Sequence, residues 1–560
     1  METAFALRNK ANAAAAAGDI VGAATIYAQA IRSHPHNADL LNSAGSFHTR
    51  FQQNAEALRC FERALAVDPA HVDARLNRAI VLSQLGRRSE AIQSLQPHEE
   101  RLGPDPRYWT IRAAIERELC DFDAAAASYD VVLAREPNNL KALNGRARVA
   151  LERGESMMCH RYEQALRVSQ AAPDSWLGYA QALDYSGRHS EARQIAEQLA
   201  NQAPGWSDAQ EFLATLRWAA GERDKFCDHF EAAAAKDPRN LALYISWSRT
   251  LSGVDRAAEA ASVVRHATAL LPYEPMIALA DATYSSEAGD LARADGIFAA
   301  AHGDDPAWQL QEARHRLRKQ QPERALALLE RVIAAAPDTI AAWSLMDFAW
   351  RILGDARATW LHGQEGLVRK MSLNLQSEAL GALIALLDRL HDETGLPIGH
   401  GQTVRGGSQT RGGLFQRMEP EIRQVDGAID RMIDDYRTGL PPSDANHPLL
   451  RHRESKWMIK GSWSVRMLGH GRHVEHIHPQ GILSSAAYLV LPDDLGGSCN
   501  AGHLELGRSP PDLLIDLPPV HTIAPEEGYC ALFPSTLFHG TRPFEAGKRM
   551  TIAFDVSLAG

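Results

Sequence analysis

The chain repeats itself at an interval of 34 residues, and few sequence features restrict a fold more tightly. Counted from Ala38, the small residues Gly45, Ala57 and Ala64 fall at positions 8, 20 and 27, with Phe61 at 24 and Pro69 at 32. Counted from Ala4, the same marks are Ala11, Ala23, Ala30, Tyr27 and Pro35; from Pro106 they are Ala113, Ala125, Val132, Tyr129 and Pro137. The stretch from Ser207 closes on Phe230, Ala233 and Pro238, that from Leu241 on Ala267 and Pro272, and that from Pro275 on Phe298, Ala301 and Pro306. A glycine recurs at position 15, as Gly18, Gly86, Gly154, Gly187, Gly221 and Gly289. These marks describe a pair of helices. Glycine at 15 accepts the left-handed conformation that stops the first helix. The small residues let the two helices approach, the aromatic at 24 fills the gap between neighbouring pairs, and proline at 32 ends the second helix. Gln96-Pro97 interrupts one unit, and Glu155-Ser156-Met157-Met158 blurs another.

The pattern resembles the tetratricopeptide family over residues 4–372, about ten units. The resemblance implies an α-solenoid whose groove receives a protein or peptide partner, with Trp109, Trp176 and Tyr244 packed inside the stack. A chain of 560 residues is too long for one core, which a repeat array accommodates. A formal net charge of -10 gives no reason to expect a nucleic-acid or membrane-surface partner. No run of about 18 apolar residues suggests a membrane span, and the charged, alanine-rich METAFALRNKANAAAAAGD lacks the apolar core of a signal peptide. Cys60, Cys120, Cys159, Cys227, Cys499 and Cys530 are scattered, with no C-x-x-C pair, which fits thiols in a reducing compartment. A cytoplasmic location is the expectation.

After residue 391 the rhythm ends. Leu373, Leu375, Leu380, Leu383, Leu386, Leu387 and Leu390 form one face of a helix over 371–391, expected to cap the array. A glycine-rich segment, VRGGSQTRGGLF, precedes a helix over 420–436 with Ile422, Val425, Ile429, Met432 and Ile433 on one side. From Lys456 the periodicity switches to two, with strands expected around Trp457–Met467 and at 473–478, 484–491, 502–507, 529–533 and 549–556. Short strands at such spacing predict a sandwich or barrel. The division is therefore a solenoid over 1–372, a capping helix, linker and helical lead-in over 373–455, and a β domain over 456–560.

His476 and His478 stand at i, i+2, which on a strand puts both imidazoles on one face. His539 follows about sixty residues later, just past an apolar strand. Three ligands on one side of an ion leave positions open for oxygen and a co-substrate. Arg549 and Thr551 share a strand face, and an arginine beside a hydroxyl suits a carboxylate.

The segments GRHVEHIHPQGILSSAAYLVLP, GHLELGR and APEEGYCALFPSTLFHGTRPFEAGKRMTIAFDV resemble the 2-oxoglutarate/iron(II)-dependent oxygenases found behind tetratricopeptide arrays in bacteria. VRGGSQTRGGLF is similar to the Arg-Gly-Gly-Thr-Gln-Thr segment that precedes such domains. Over residues 400–558 the resemblance implies a double-stranded β-helix, or jelly roll, so that the fold class is multidomain α plus β. It implies Fe(II) on His476, His478 and His539, and 2-oxoglutarate on Arg549 with help from Thr551 and Tyr488. With O2, such a dioxygenase would hydroxylate a protein or peptide brought by the groove; Arg405 and Gln409 are the weaker substrate candidates. In the wider superfamily the position of His478 carries a carboxylate. Either His478 is structural and water completes a two-histidine site, or Glu475 or Glu505 supplies the third ligand; His473, at i, i+3, would need a bulge to join them. Three rival readings stand beside this one: a scaffold with an inactive β domain, a cupin-like metal enzyme that needs no 2-oxoglutarate, and a small-molecule hydroxylase.

Overall fold

The computed structural model describes residues 2–271, 274–300, 304–393, 403–410, 412–497 and 500–558. Pro272, Ala301 and Cys499, singled out above, lie outside the described residues. The chain divides into two compact units, one of residues 1–152 with 156–170, the other of 153–155 with 171–559.

In the first unit, helices pair as the repeat marks require: Ala4–Ala16 with Ile20–Ser33, Ala38–Arg50 with Asn54–Val67, and Pro106–Glu118 with Phe122–Arg135. Gly45 shows why position 8 is small, since a Cβ there would sit 2.5 Å from the Phe61 ring. The second helix of the third pair breaks at Gln96–His98 into a tight turn of helix, where Pro97 removes a donor. Position 15 is left-handed in every pair that carries the glycine, with φ from +63° at Gly154 to +86° at Gly289. Gln52, Cys120, Asp255 and Gln320 hold the same conformation without glycine, at a cost of about 1–2 kcal/mol each.

In the second unit, hairpins of the same kind run to Arg357–His362. Nine described strands follow: β1 (Arg369–Ser372), β2 (Val404–Gln409), β3 (Trp457–His473), β4 (Leu483–Val490), β5 (Leu504–Leu506), β6 (His521–Ile523), β7 (Tyr529–Pro534), β8 (His539–Thr541) and β9 (Lys548–Leu558). They form a six-stranded sheet in the order β1-β7-β4-β9-β3-β2 and a three-stranded sheet β6-β5-β8, antiparallel throughout. This is the jelly-roll arrangement of two facing antiparallel sheets.

Period-two alternation on β9 shows how the large sheet is used. Met550, Ile552, Phe554 and Val556 face a core built with Leu383, Leu386 and Leu387 of helix Ser377–Glu393 and Ile422, Val425, Ile429 and Tyr436 of helix Pro420–Thr438. Arg549, Thr551, Ala553 and Asp555 face the other way, into a cavity.

Two expectations are corrected here. The helix expected to cap the array backs the large sheet instead, because its leucine stripe finds the sheet's apolar face. The solenoid does not extend to residue 372: Arg369–Ser372 is an edge strand paired with β7, Arg369 opposite Leu532. Of the expected linker, residues 394–402 lie outside the described residues, and the last hairpins pack directly on the β domain. Trp343, Phe348, Trp350 and Leu361 share a core with Leu513 and Phe538, and buried His362 bonds to Asp347 at 3.0 Å and to Thr536 at 2.9 Å. Phe538 and Thr536 lie within three residues of His539, so the final repeats brace the strand that carries it.

Candidate metal centre

β3 ends at His473, and 474–481 runs as an irregular segment rather than the strand expected at 473–478. The facing of His476 and His478 survives because His476 is held by an isolated two-way bridge to His539. Its N–H donates to the His539 carbonyl at 3.1 Å, and the His539 N–H donates back at 2.9 Å. That bridge joins β8 of the small sheet to the segment that follows β3 and brings residues distant in sequence together. Gly481 then turns the chain back: its N–H reaches the His478 carbonyl at 3.2 Å. A Cβ at Gly481 would lie 3.2 Å from the Ser535 hydroxyl and 3.3 Å from the Val556 carbonyl, so a larger residue would push this loop outward.

The three imidazoles converge. Ring centroids are 4.2 Å apart for His476 and His539, and 5.0 Å for His478 with each of the others. One nitrogen from each lies within 4.8 Å of the other two, and no Glu or Asp joins this group among the described residues. Each ring is oriented from behind. Nδ1 of His476 meets the Val474 carbonyl at 2.7 Å, Nδ1 of His539 the Leu537 carbonyl at 3.2 Å, and Nδ1 of His478 the Asp555 carboxylate at 2.5 Å. All three partners only accept, so each Nδ1 carries a proton and each Nε2 is the atom left to meet an ion. Burial pulls the His476 pKa down to about 3, helped by its neighbour His478, and pushes that of His539 well below the usual value. Neutral imidazoles with free Nε2 lone pairs are what a divalent metal requires, and the set fits Fe(II).

Arg549 lines the same cavity, of about 410 Å³, with its side chain only 2% exposed. No carboxylate pairs with it among the described residues, and its Nε has no hydrogen-bond partner. The face of Tyr488 lies against it, 5.6 Å from the guanidinium carbon to the ring centroid. The Tyr488 hydroxyl is itself buried and unpartnered. Burial lowers the arginine's pKa and raises that of the tyrosine beyond the normal range. Thr551 is buried on the same face of β9, and Gln409 also lines the cavity. Arg405 does not line it; its guanidinium pairs with Asp255 at 2.8 Å. Glu505 is tied to Arg508 at 2.5 Å and Glu475 stays outside the histidine group, so neither supplies a third ligand.

The cavity also holds Thr541, Trp463 and Asp555, which sequence reasoning passed over, and His473, which it admitted only with a bulge. His473 Nε2 and Thr541 Oγ1 are buried without partners. Trp463 stacks on His478 at 5.3 Å and 27°. Asp555 was readable in principle, since it continues the alternation Arg549, Thr551, Ala553. Thr541 carried no such signal, because pairing between distant strands puts it there, and His473 stands at the end of β3.

A family model described as "Putative 2OG-Fe(II) oxygenase" matches residues 461–555, and tetratricopeptide models match 48–115 and 113–156. The chain carries tetratricopeptide repeats followed by a 2OG-Fe(II) oxygenase-family domain. Cellulose synthase 1 operon protein C of Komagataeibacter xylinus is 31% identical to this chain over 154 residues, covering 25% of the chain and 11% of that protein. Cellulose synthase operon protein C of Komagataeibacter sucrofermentans is 30% identical over 155 residues, covering 25% and 12%. The chain thus spans a small fraction of these relatives' length. Similar solved structures include PilW, titled a type IV pilus biogenesis factor, at 16% identity and TM-score 0.34, covering 36% of this chain and 94% of that one. Another is a tetratricopeptide repeat protein from Parabacteroides merdae, at 15% identity and TM-score 0.27, covering 62% and 98%. No helix among the described residues is long and apolar enough to cross a membrane.

Proposed function

We propose that the β domain is a 2-oxoglutarate- and Fe(II)-dependent dioxygenase that hydroxylates a protein or peptide. The observation that carries this reading is Arg549, a buried cation without a counter-ion in the cavity of the three imidazoles. An isolated buried charge costs several kcal/mol, and a carboxylate entering beside it would remove that cost through paired, charge-assisted hydrogen bonds. A cupin-like enzyme with no dicarboxylate co-substrate leaves Arg549 unexplained.

Fe(II), when bound, supplies O2 activation and the oxidative decarboxylation of 2-oxoglutarate to succinate and CO2. Nε2 of His476, His478 and His539 would hold it. Arg549 pairs with the distal carboxylate of 2-oxoglutarate, and the hydroxyls of Thr551 and Tyr488 donate to the same group. Trp463, Ile477, Ala486 and Leu504 supply the apolar part of the cavity wall. Gln409 is the remaining polar candidate for substrate contact. Arg405, paired to Asp255, is withdrawn from that role.

The partner reading rests on the repeats. In the first unit a cavity of about 730 Å³ is lined by Asn42, Asn77, Arg107 and Thr110, from the first helices of successive pairs, and by Asn139, just ahead of the next. Amide and charged groups in such a groove suit an extended peptide backbone. A cytoplasmic site of action belongs to the same proposal.

The test is Fe(II)-dependent succinate release from 2-oxoglutarate by the full chain. The wild type should release succinate, whereas His539→Ala and Arg549→Ala should not. Turnover that survives Arg549→Ala would favour the cupin-like reading, and none from the wild type with any metal would favour the scaffold.

A further inference from the structure

The structure puts a carboxylate one imidazole away from the position where the wider superfamily carries one. Asp555 is the last cavity-facing residue of β9, and its Oδ2 accepts from His478 Nδ1 at 2.5 Å. Its other oxygen accepts from the Ser484 hydroxyl at 3.3 Å, and Ser484 in turn meets Ser535 at 2.9 Å. Both serines are buried, and register holds the group in place, with Ser484 opposite Asp555. On its other side the His478 ring is stacked on Trp463. The ring is therefore fixed in tautomer by the carboxylate and in tilt by the indole. His476 and His539 have only neutral carbonyls behind them. Three imidazoles bring no negative charge to set against a divalent ion, and a carboxylate hydrogen-bonded to one ligand offsets part of that charge.

We propose that Asp555 is a positioning residue that gives His478 the charge and orientation of a third ligand, so that the pair replaces a direct metal–carboxylate contact. The inference rests on the metal-site reading above. It also predicts an order among the three histidines: only His478 owes its strength as a ligand to an ionised partner. Trp463 sets ring tilt without charge, so its loss should broaden the site's geometry more than it weakens binding.

The test is direct metal binding to the full chain, using Co(II) alone as the probe, by titration calorimetry and visible absorption under anaerobic conditions. Wild type, His539→Ala, Asp555→Asn and Ser484→Ala are compared. Asp555→Asn keeps the side chain's shape and an accepting oxygen but removes the charge. It should weaken Co(II) binding by about 10- to 100-fold, with the position of the absorption bands largely retained because the ligand atoms are unchanged. Ser484→Ala, which leaves the carboxylate in place but less constrained, should weaken it less and in the same direction. Binding by Asp555→Asn within threefold of wild type would overturn the proposal. So would a large change in band position and intensity, which would make Asp555 a direct ligand. Absence of wild-type binding, or full binding by His539→Ala, would instead sink the metal-site reading itself, so the two failures are distinguishable.

Discussion

Replacing Arg549 by methionine should make the ligand-free protein more stable and nearly abolish binding of 2-oxoglutarate. The guanidinium is 2% exposed, has no carboxylate partner among the described residues, and keeps an unpartnered Nε. Desolvating such a cation costs several kcal/mol. The Tyr488 face, at 5.6 Å, returns about 0.5–2 kcal/mol of that. Methionine has nearly the same reach and brings no charge, so the ligand-free β domain should gain about 1–4 kcal/mol. In the complex the sign reverses. Removing one partner of a buried charge pair costs about 2–5 kcal/mol, which at 1.4 kcal/mol per decade is a loss of roughly 30- to 4,000-fold in affinity. Urea unfolding followed through the β domain gives the first quantity, and calorimetric titration with 2-oxoglutarate on Mn(II)-loaded protein gives the second. A variant that is less stable than wild type and binds 2-oxoglutarate within threefold would refute both the solitary cation and its role.

Further outcomes are expected. Tyr488→Phe removes a hydroxyl that has no partner in the ligand-free state, so stability should change little while 2-oxoglutarate affinity falls about tenfold, one hydrogen bond to a charged group; calorimetry and melting of the same sample decide it. Acid should destabilise the ligand-free chain. Burial holds His476 at about 3, His229, His391 and His447 at about 4, and His539 well below its usual value, whereas the unfolded chain protonates them near pH 6.5. Their contribution is complete above about pH 6.5 and is lost as pH falls toward 4 and 3, so the urea midpoint should be lower at pH 5 than at pH 7; an equal or higher midpoint would contradict this. Gly221→Ala, at φ +85° with open space around it, should cost about 1–2 kcal/mol from backbone strain alone, read by the thermal midpoint.

The repeat was legible because each mark is local: a turn, a close approach or a helix end. The same locality explains Gln52, Cys120, Asp255 and Gln320, where pairing of the helices imposes the left-handed conformation without glycine. Arg369–Ser372 was misread because a four-residue edge strand has no periodicity of its own and owes its form to β7. The leucine stripe of Ser377–Glu393 was read correctly as an apolar face, but a stripe does not name what it covers. In the cavity, His476, His478, His539, Arg549 and Thr551 followed from spacing and family resemblance. Thr541 did not, since β8 is placed by contacts between distant segments, and His473 had been admitted only with a bulge. Arg405 was a weaker substrate candidate in a glycine-rich segment, and a hairpin of the second unit supplies Asp255 as its partner.

The central claim is that His476, His478, His539 and Arg549 form one site for a metal and a dicarboxylate. A crystal structure of the full chain grown anaerobically with Mn(II) and 2-oxoglutarate addresses it directly. The account predicts Mn(II) on the three Nε2 atoms and the distal carboxylate of 2-oxoglutarate against the Arg549 guanidinium. Mn(II) bound elsewhere, or 2-oxoglutarate seated without touching Arg549, would contradict it.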